Sequence, residues 1–385
     1  MFVELHMLQN FAPSCLNRDD TNSPKDCEFG GYRRARISSQ CIKRAIRRHF
    51  QDYPRLSQAH LAKRTKLLVD MLTDKLAAAG KDLETAKAVA ETALRSCGLG
   101  IKSDGKTEYL VFLGQGEVAA VAEACIQHWD ELAAAAGETE VEGDKKARKK
   151  ASKAAVPEEF RKKVDTLLDG GKAADLALFG RMLADLPDKN INAACQVAHA
   201  ISTNEVSMEF DFYTAVDDLQ PREETGAGMM GTVEYNSACF YRYANIDFKQ
   251  LVKNLGNDQE LARTAVQAFL TAAVKAIPTG KQNSMAAHNP PSLVFAVVRE
   301  HGLWSLANAF VEPVRPWRDG NLIQKSITAL ENYWQRLTTA FGDEGIKEKA
   351  ALVVDGKLSS PQIAQVDNLA DLINRVMSAL PGGQP

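Results

Sequence analysis

Apolar and polar positions along the chain fall into three regimes. The opening Phe2-Val3-Glu4-Leu5-His6-Met7-Leu8 alternates loosely and predicts a strand. Asn10 to Tyr32 is rich in Pro, Asn, Asp, Ser and Gly and predicts a long loop, of the length that commonly carries function. Ser38 and Ser39 then offer caps to a helix whose Ile42, Ala45, Ile46 and His49 or Phe50 recur at helical spacing.

From about Leu61 to Ala200 the pattern is Ala- and Leu-rich with helical periodicity, as in Leu67-Leu68, Met71-Leu72 and Leu76, and it predicts a helical insertion. Within it, Ala133 to Glu158 is low in complexity, lacks aromatic residues and carries a dense Lys/Arg run. Beyond Ser202, Phe210 to Val216 and Thr232 to Asn245 are strand-like and are joined by a glycine-containing connection from Gln220 to Gly231. Helix is predicted over Gln259 to Ala276, strand over Ser292 to Val298, and helices around Leu322 to Phe341 and Asp367 to Leu380. Without the insertion, strands and helices alternate roughly as in a split βαβ, ferredoxin-like sheet, so the expected class is α+β.

Composition narrows the options. At 385 residues the chain exceeds one ordinary compact domain. No stretch approaches the run of about 20 apolar residues that spans a bilayer, and Glu4 interrupts what would be a signal-peptide core, so the expected location is cytoplasmic. Seven scattered cysteines, none paired as C-x-x-C, predict reduced thiols and neither a disulfide framework nor a zinc ribbon. A net charge of −2 is silent about nucleic acid, because a local basic stripe can be offset elsewhere.

The charge distribution is more informative. Arg33, Arg34, Arg36, Lys43, Arg44, Arg47 and Arg48 place seven cations within sixteen residues and no acid among them. On the predicted helix, Lys43 and Arg47, Gln40 and Arg44, and Arg44 and Arg48 lie four apart, away from the Ile42/Ile46 stripe. Such a face beside a helix N-terminus suits phosphates, which accept from Arg, Lys, Ser and backbone N–H groups. A solvated helix face is the plainer alternative.

These residues reach a family resemblance. Pro13-Ser14-Cys15-Leu16-Asn17-Arg18-Asp19-Asp20, Lys25-Asp26, Phe29-Gly30-Gly31, Arg33 to Gln40 and Lys43-Arg44-Ala45 resemble the N-terminal signature of CasC, the repeated RNA-binding backbone subunit of the type I-E CRISPR Cascade complex. Gly180-Arg181-Met182, His199-Ala200-Ile201, Phe212 to Gln220, Phe240 to Asn245 and Gly280-Lys281-Gln282 follow in the family's order. The resemblance implies an RRM-like palm (1–57 and 238–385), a helical fingers insertion (58–203) and a β-hairpin thumb (204–237). It implies copies stacked along a CRISPR RNA (crRNA), other Cascade subunits and target DNA as partners, and no cofactor or membrane.

By the same resemblance Lys25, Ser38, Gln40, Lys43 and Arg47 would hold the RNA backbone, supported by Arg18, Ser39 and Arg44. Met182, beside Arg181, is a candidate wedge under a displaced nucleotide, with a core methionine as the alternative. Lys281 would meet phosphate from a glycine turn. The run Lys145, Lys146, Arg148, Lys149, Lys150 and Lys153 is a candidate for steering target DNA, or a solvated segment. The aromatic string that marks a sequence-specific RRM is absent, as suits a holder of any guide.

Catalysis has little to stand on. The acid pairs Asp19-Asp20 and Asp217-Asp218 are metal candidates for phosphodiester cleavage, with turn-capping carboxylates as the preferred reading. No Ser/His/Asp order, H-E-x-x-H, Walker loop or G-x-G-x-x-G occurs, and His199 sits in an apolar context that reads as helical and suits a structural role. The expectation is a non-catalytic scaffold, with a metal-dependent ribonuclease as the alternative.

Overall fold

A computed structural model describes residues 1–138, 156–215, 229–316 and 321–382. The chain forms two compact units: residues 1–49, 196–247 and 266–385, and residues 50–195 and 248–265. The class is α+β. Among the described residues no helix is long and apolar enough to cross a membrane.

The first unit is built on a wide sheet. Its order runs Ala364–Val366, Ile346–Val353, Leu293–Arg299, Phe2–Ser14, Met229–Asp247, Ala200–Ser202, Tyr32–Ile37 and Asp26–Phe29. All neighbours are antiparallel except the first two, which are parallel. The opening strand lies between two long partners, so both of its faces are buried and Val3 to Gln9 are covered without exception. That position explains the loose alternation, since a strand covered on both faces has no solvent side to mark with polar residues.

Polar residues on this strand find partners inside the sheet's own packing, although Glu4 Oε2 and His6 Nε2 accept or donate no hydrogen bond. Glu4 accepts from the Tyr243 hydroxyl at 2.8 Å and from the Trp304 backbone N–H at 2.7 Å, and it pairs with Arg299 at 3.2 Å. His6 stacks on Tyr243 and Phe295, with Nδ1 2.9 Å from the Tyr241 hydroxyl, and complete burial pushes its pKa down to about 3. Helix Leu322–Phe341 packs Ile327, Leu330 and Trp334 against Leu8, Tyr241 and Phe295.

Three expectations are corrected here. The opening strand continues to Ser14, through an irregularity after Phe11, and Asp26–Phe29 and Tyr32–Ile37 form a hairpin closed by Gly30-Gly31, so the expected loop shrinks. Both glycines adopt positive φ, +66° and +81°, as the two-residue hairpin turn requires. The tail holds strands Ile346–Val353 and Ala364–Val366 between its two helices. His199 lies between short strands, not in a helix, and its Nδ1 accepts from Arg36 at 3.0 Å.

A further pair of strands leaves the sheet. Glu209–Ala215 pairs with the first part of Met229–Asp247, from Glu209 opposite Tyr235 to Ala215 opposite Met229. Phe210, Phe212 and Met230 are exposed on one face of this hairpin. Asp217-Asp218 and the rest of the connection lie outside the described residues.

The second unit is largely helical, with Leu68–Ala78, Leu83–Ser96, Gln115–Gln127 and Glu158–Leu167 closing on Leu72, Leu76, Val89, Ala93, Val121, Cys125 and Phe160. It also contains a two-stranded ladder, Ala62–Thr65 with Val111–Gly114, where only helix was expected. The basic run Lys145, Lys146, Arg148, Lys149, Lys150 and Lys153 lies outside the described residues.

Candidate nucleic-acid interface

The basic helix spans Ser39–His49 and follows directly from strand Tyr32–Ile37. Ser38 caps it: its hydroxyl accepts from the Cys41 N–H at 3.3 Å, and its own N–H donates to Asn17 Oδ1 at 2.8 Å. Ile42 and Ile46 are buried. Gln40, Arg44 and Arg48 are exposed at four-residue spacing, while Lys43 and Arg47 flank that ridge half-buried, as does Ser39 in the first turn. No acid occupies the first turn, and Arg47, Arg48 and His49 sit in the last, where cations also complement the helix dipole.

Beside this ridge lies a cleft of about 330 Å³, lined by Leu16 to Asp19 and Asn22, by Cys41, Arg44, Ala45 and Arg48, and by Pro278 to Gly280. Three distant segments therefore supply one polar hollow. Arg18 is exposed and donates to Asn22 Oδ1 at 3.0 Å. Asp19 faces its own turn: its Oδ1 accepts from the Thr21 hydroxyl at 2.8 Å and from the Thr21 and Ser23 N–H groups at 2.9 and 3.0 Å. The Thr21 hydroxyl leads in holding its carboxyl below the ordinary range. This is the turn-capping arrangement expected of it, and it leaves the arginines as the dominant charge of the cleft.

The third segment is pressed into place by packing. A Cβ on Gly280 would meet the carbonyl oxygens of Leu16 and Cys15 at 2.4 and 2.6 Å, so only glycine fits. The following Lys281 adopts a left-handed backbone and is half-buried. Its charge and that of Arg18 both act on the buried Cys15 thiol, partly offsetting the rise that burial imposes. Downstream, Asn289 fastens the segment to the opening strand, accepting from Gln9 Nε2 on its carbonyl at 2.7 Å and from the Ala12 N–H on Oδ1 at 3.3 Å. Gln9 in turn accepts from buried Arg242 at 2.6 Å.

Lys25 stands next to this arrangement, half-buried, with its N–H donating to the Asn17 carbonyl and its carbonyl accepting from Arg36, both at 2.9 Å. The structure thus gathers Arg18, Lys25, Ser38, Gln40, Arg44 and Lys281 around Asn17 and the helix start. Sequence reasoning passed over Asn17, Asn22 and Thr279 as cleft residues and did not select Arg48, although its spacing from Arg44 was the available signal.

Two other members of the cation run are engaged within the protein, one in the core and one at the surface. Arg34 is fully buried and donates to the carbonyls of Ser202, Thr203, Phe310 and Val311 at 2.7–3.0 Å. Arg33 pairs with Asp26.

In the second unit, Arg181 is likewise buried. Its guanidinium is taken up by Glu117 and two carbonyls, which removes it from the groups that can reach a phosphate. Met182 is the reverse of a core methionine, being 84% exposed.

With this geometry in hand, the chain matches the CT1975-like protein family over residues 3–377. It belongs to that family. The CT1975-like chain is also similar to solved structures. One, titled "CRISPR RNA-guided surveillance complex, pre-nicking", shows 30% identity and a TM-score of 0.85 over 98% of this chain and 100% of the other. Another, titled "CRISPR RNA-guided surveillance complex", shows 26% identity and a TM-score of 0.75 over 99% and 100%. No curated protein matches.

Proposed function

We propose that this CT1975-like protein is the guide-holding backbone subunit of a type I-E CRISPR surveillance complex. It grips crRNA by its phosphate backbone, assembles with further copies and other Cascade subunits along the guide, and leaves the bases to pair with target DNA. The observation that carries this reading is the cleft in which Arg18, Arg44 and Arg48 converge beside the ridge of the basic helix. Cationic and amide side chains on a fixed scaffold bind any sequence through phosphates, while base pairing supplies specificity. The titles of the similar structures point the same way.

In this reading the subunit is a scaffold and not a nuclease. Asp19, which lines the cleft, commits its Oδ1 to three hydrogen bonds within its own turn. In the same reading Met182, which is exposed, separates stacked bases, and the lysine run from Lys145 to Lys153 attracts the target duplex without regard to sequence.

Co-expression with a CRISPR array and native purification tests the proposal. The expected result is a large assembly carrying array-derived RNA, lost in an R44E/R48E variant that still folds. A monomer free of RNA, or RNA drawn indiscriminately from the cell, overturns it. Incubation with complementary RNA and Mg²⁺ or Mn²⁺ tests the scaffold role, which regular cleavage abolished by Asp19→Ala would contradict.

A further inference from the structure

The second unit buries an ion pair at the base of its exposed methionine. Glu117, in the first turn of helix Gln115–Gln127, is fully enclosed. Its Oε2 accepts from the Gly114 N–H at 2.7 Å, its Oε1 from the Gly170 N–H at 2.8 Å, and Arg181 Nη1 reaches the two oxygens at 3.0 and 2.7 Å. Arg181 completes its set by donating from Nη2 to the Leu168 carbonyl at 3.1 Å and from Nε to the Lys189 carbonyl at 3.0 Å. One carboxylate therefore ties the helix start, the turn at Gly170 and the segment that begins at Gly180.

That segment is held at its backbone too. Arg181 and Ile191 exchange two N–H···O bonds of 2.9 Å, and the Leu183 N–H donates to Asn190 Oδ1 at 2.6 Å. Gly180 enters it at φ +76°, where a Cβ would lie 2.8 Å from the Ile191 oxygen. Met182 stands between buried Arg181 and buried Leu183, exposed on a base that has little freedom to move.

We propose that Glu117 is a positioning residue for Met182, fixing through Arg181 the backbone from which the methionine projects toward the guide. This rests on the guide-holding reading, in which Met182 separates stacked bases. A buried ion pair is seldom more stabilising than an apolar pair of the same volume, whereas its directional hydrogen bonds specify geometry. Methionine is an unusually flexible apolar side chain, so a wedge made of it needs its backbone held from below. Glu117 and Arg181 meet that need without touching the RNA.

The test uses the assembled complex with its guide, comparing wild type with Met182→Ala, Glu117→Gln and Asn190→Ala. The readouts are nucleotide-by-nucleotide 2′-hydroxyl acylation of the guide and amide hydrogen exchange of residues 181–191. Met182→Ala should abolish the recurring reactive nucleotides. Glu117→Gln should abolish them as well while exchange at 181–191 rises, and Asn190→Ala, an exposed site that loosens the same segment through Leu183 without altering the carboxylate, should weaken them. Guide affinity, set by phosphate contacts elsewhere, should stay within about twofold of wild type.

A wild-type acylation pattern in Glu117→Gln or Asn190→Ala despite faster exchange overturns the proposal, as does a wild-type pattern in Met182→Ala. If Glu117→Gln does not fold, Asn190→Ala decides. R44E/R48E, which tests guide holding itself, is scored separately by loss of guide from the complex.

Discussion

Strand Tyr32–Ile37 and helix Ser39–His49 share one run of cations and use it in opposite ways. The strand is held inside the sheet between Asp26–Phe29 and Ala200–Ser202, so Arg34 points inward and its guanidinium becomes a post for four carbonyls. The helix buries Ile42 and Ile46 on one side, so Arg44 and Arg48 remain exposed at the cleft. Chemically identical side chains in one short stretch of sequence are thus divided between burial and exposure by the element that carries them. Arg181 and Met182 repeat the division within two consecutive positions.

The sharpest way to break this comparison is to exchange the consequences. Arg34→Ala should cost about 3–5 kcal/mol, because it strands several buried carbonyls and leaves a cavity, and urea denaturation would measure it. A loss below about 1 kcal/mol would remove Arg34 from the folding side.

The next effect is one of pH. Burial lowers the pKa of His6 from 6.5 to about 3, so the unfolded chain binds the proton more readily than the folded one. Stability is therefore fully present above pH 6.5 and should fall by about 1.4 kcal/mol per unit as pH drops through that window toward 3. His6→Phe should flatten this dependence between about pH 6.5 and 5, as read by denaturation at several pH values.

Gly280→Ala comes third. The added methyl must push the Pro278–Gly280 segment off the Leu16 carbonyl, for about 1–3 kcal/mol of stability, and open the cleft. RNA affinity should fall with it. Smallest on stability are Arg44→Ala and Arg48→Ala, each within about 0.5 kcal/mol of wild type in the same urea titration.

Most of the elements could be read from the sequence where one face is solvated. Helix Leu322–Phe341 shows its period because its outer side is wet, and the basic helix announces itself through Ile42, Ile46 and its serine cap. Ile346–Val353 was hidden because Lys347-Glu348-Lys349 and Ala350-Ala351 fill most of it with residues that offer little β signal. Asp26–Phe29 was hidden because its turn, Gly30-Gly31, resembles loop composition.

The candidate site was half visible. Charge spacing marked the cations, but burial of Arg34 depends on carbonyls from distant segments, that of Arg181 on the Glu117 carboxylate, and convergence of Pro278 to Gly280 on Leu16 depends on the fold alone.

The central claim is that the exposed arginines of the cleft, and not the buried ones of the strand, bind the RNA backbone. It is tested most directly by measuring the affinity of single-stranded RNA across a salt series for wild type and for Arg44→Ala/Arg48→Ala. The double variant should bind more weakly, with the slope of log affinity against log salt reduced in magnitude by about 1.4, at about 0.7 for each phosphate that an arginine no longer neutralises. An unchanged slope and affinity in a folded variant would contradict the account.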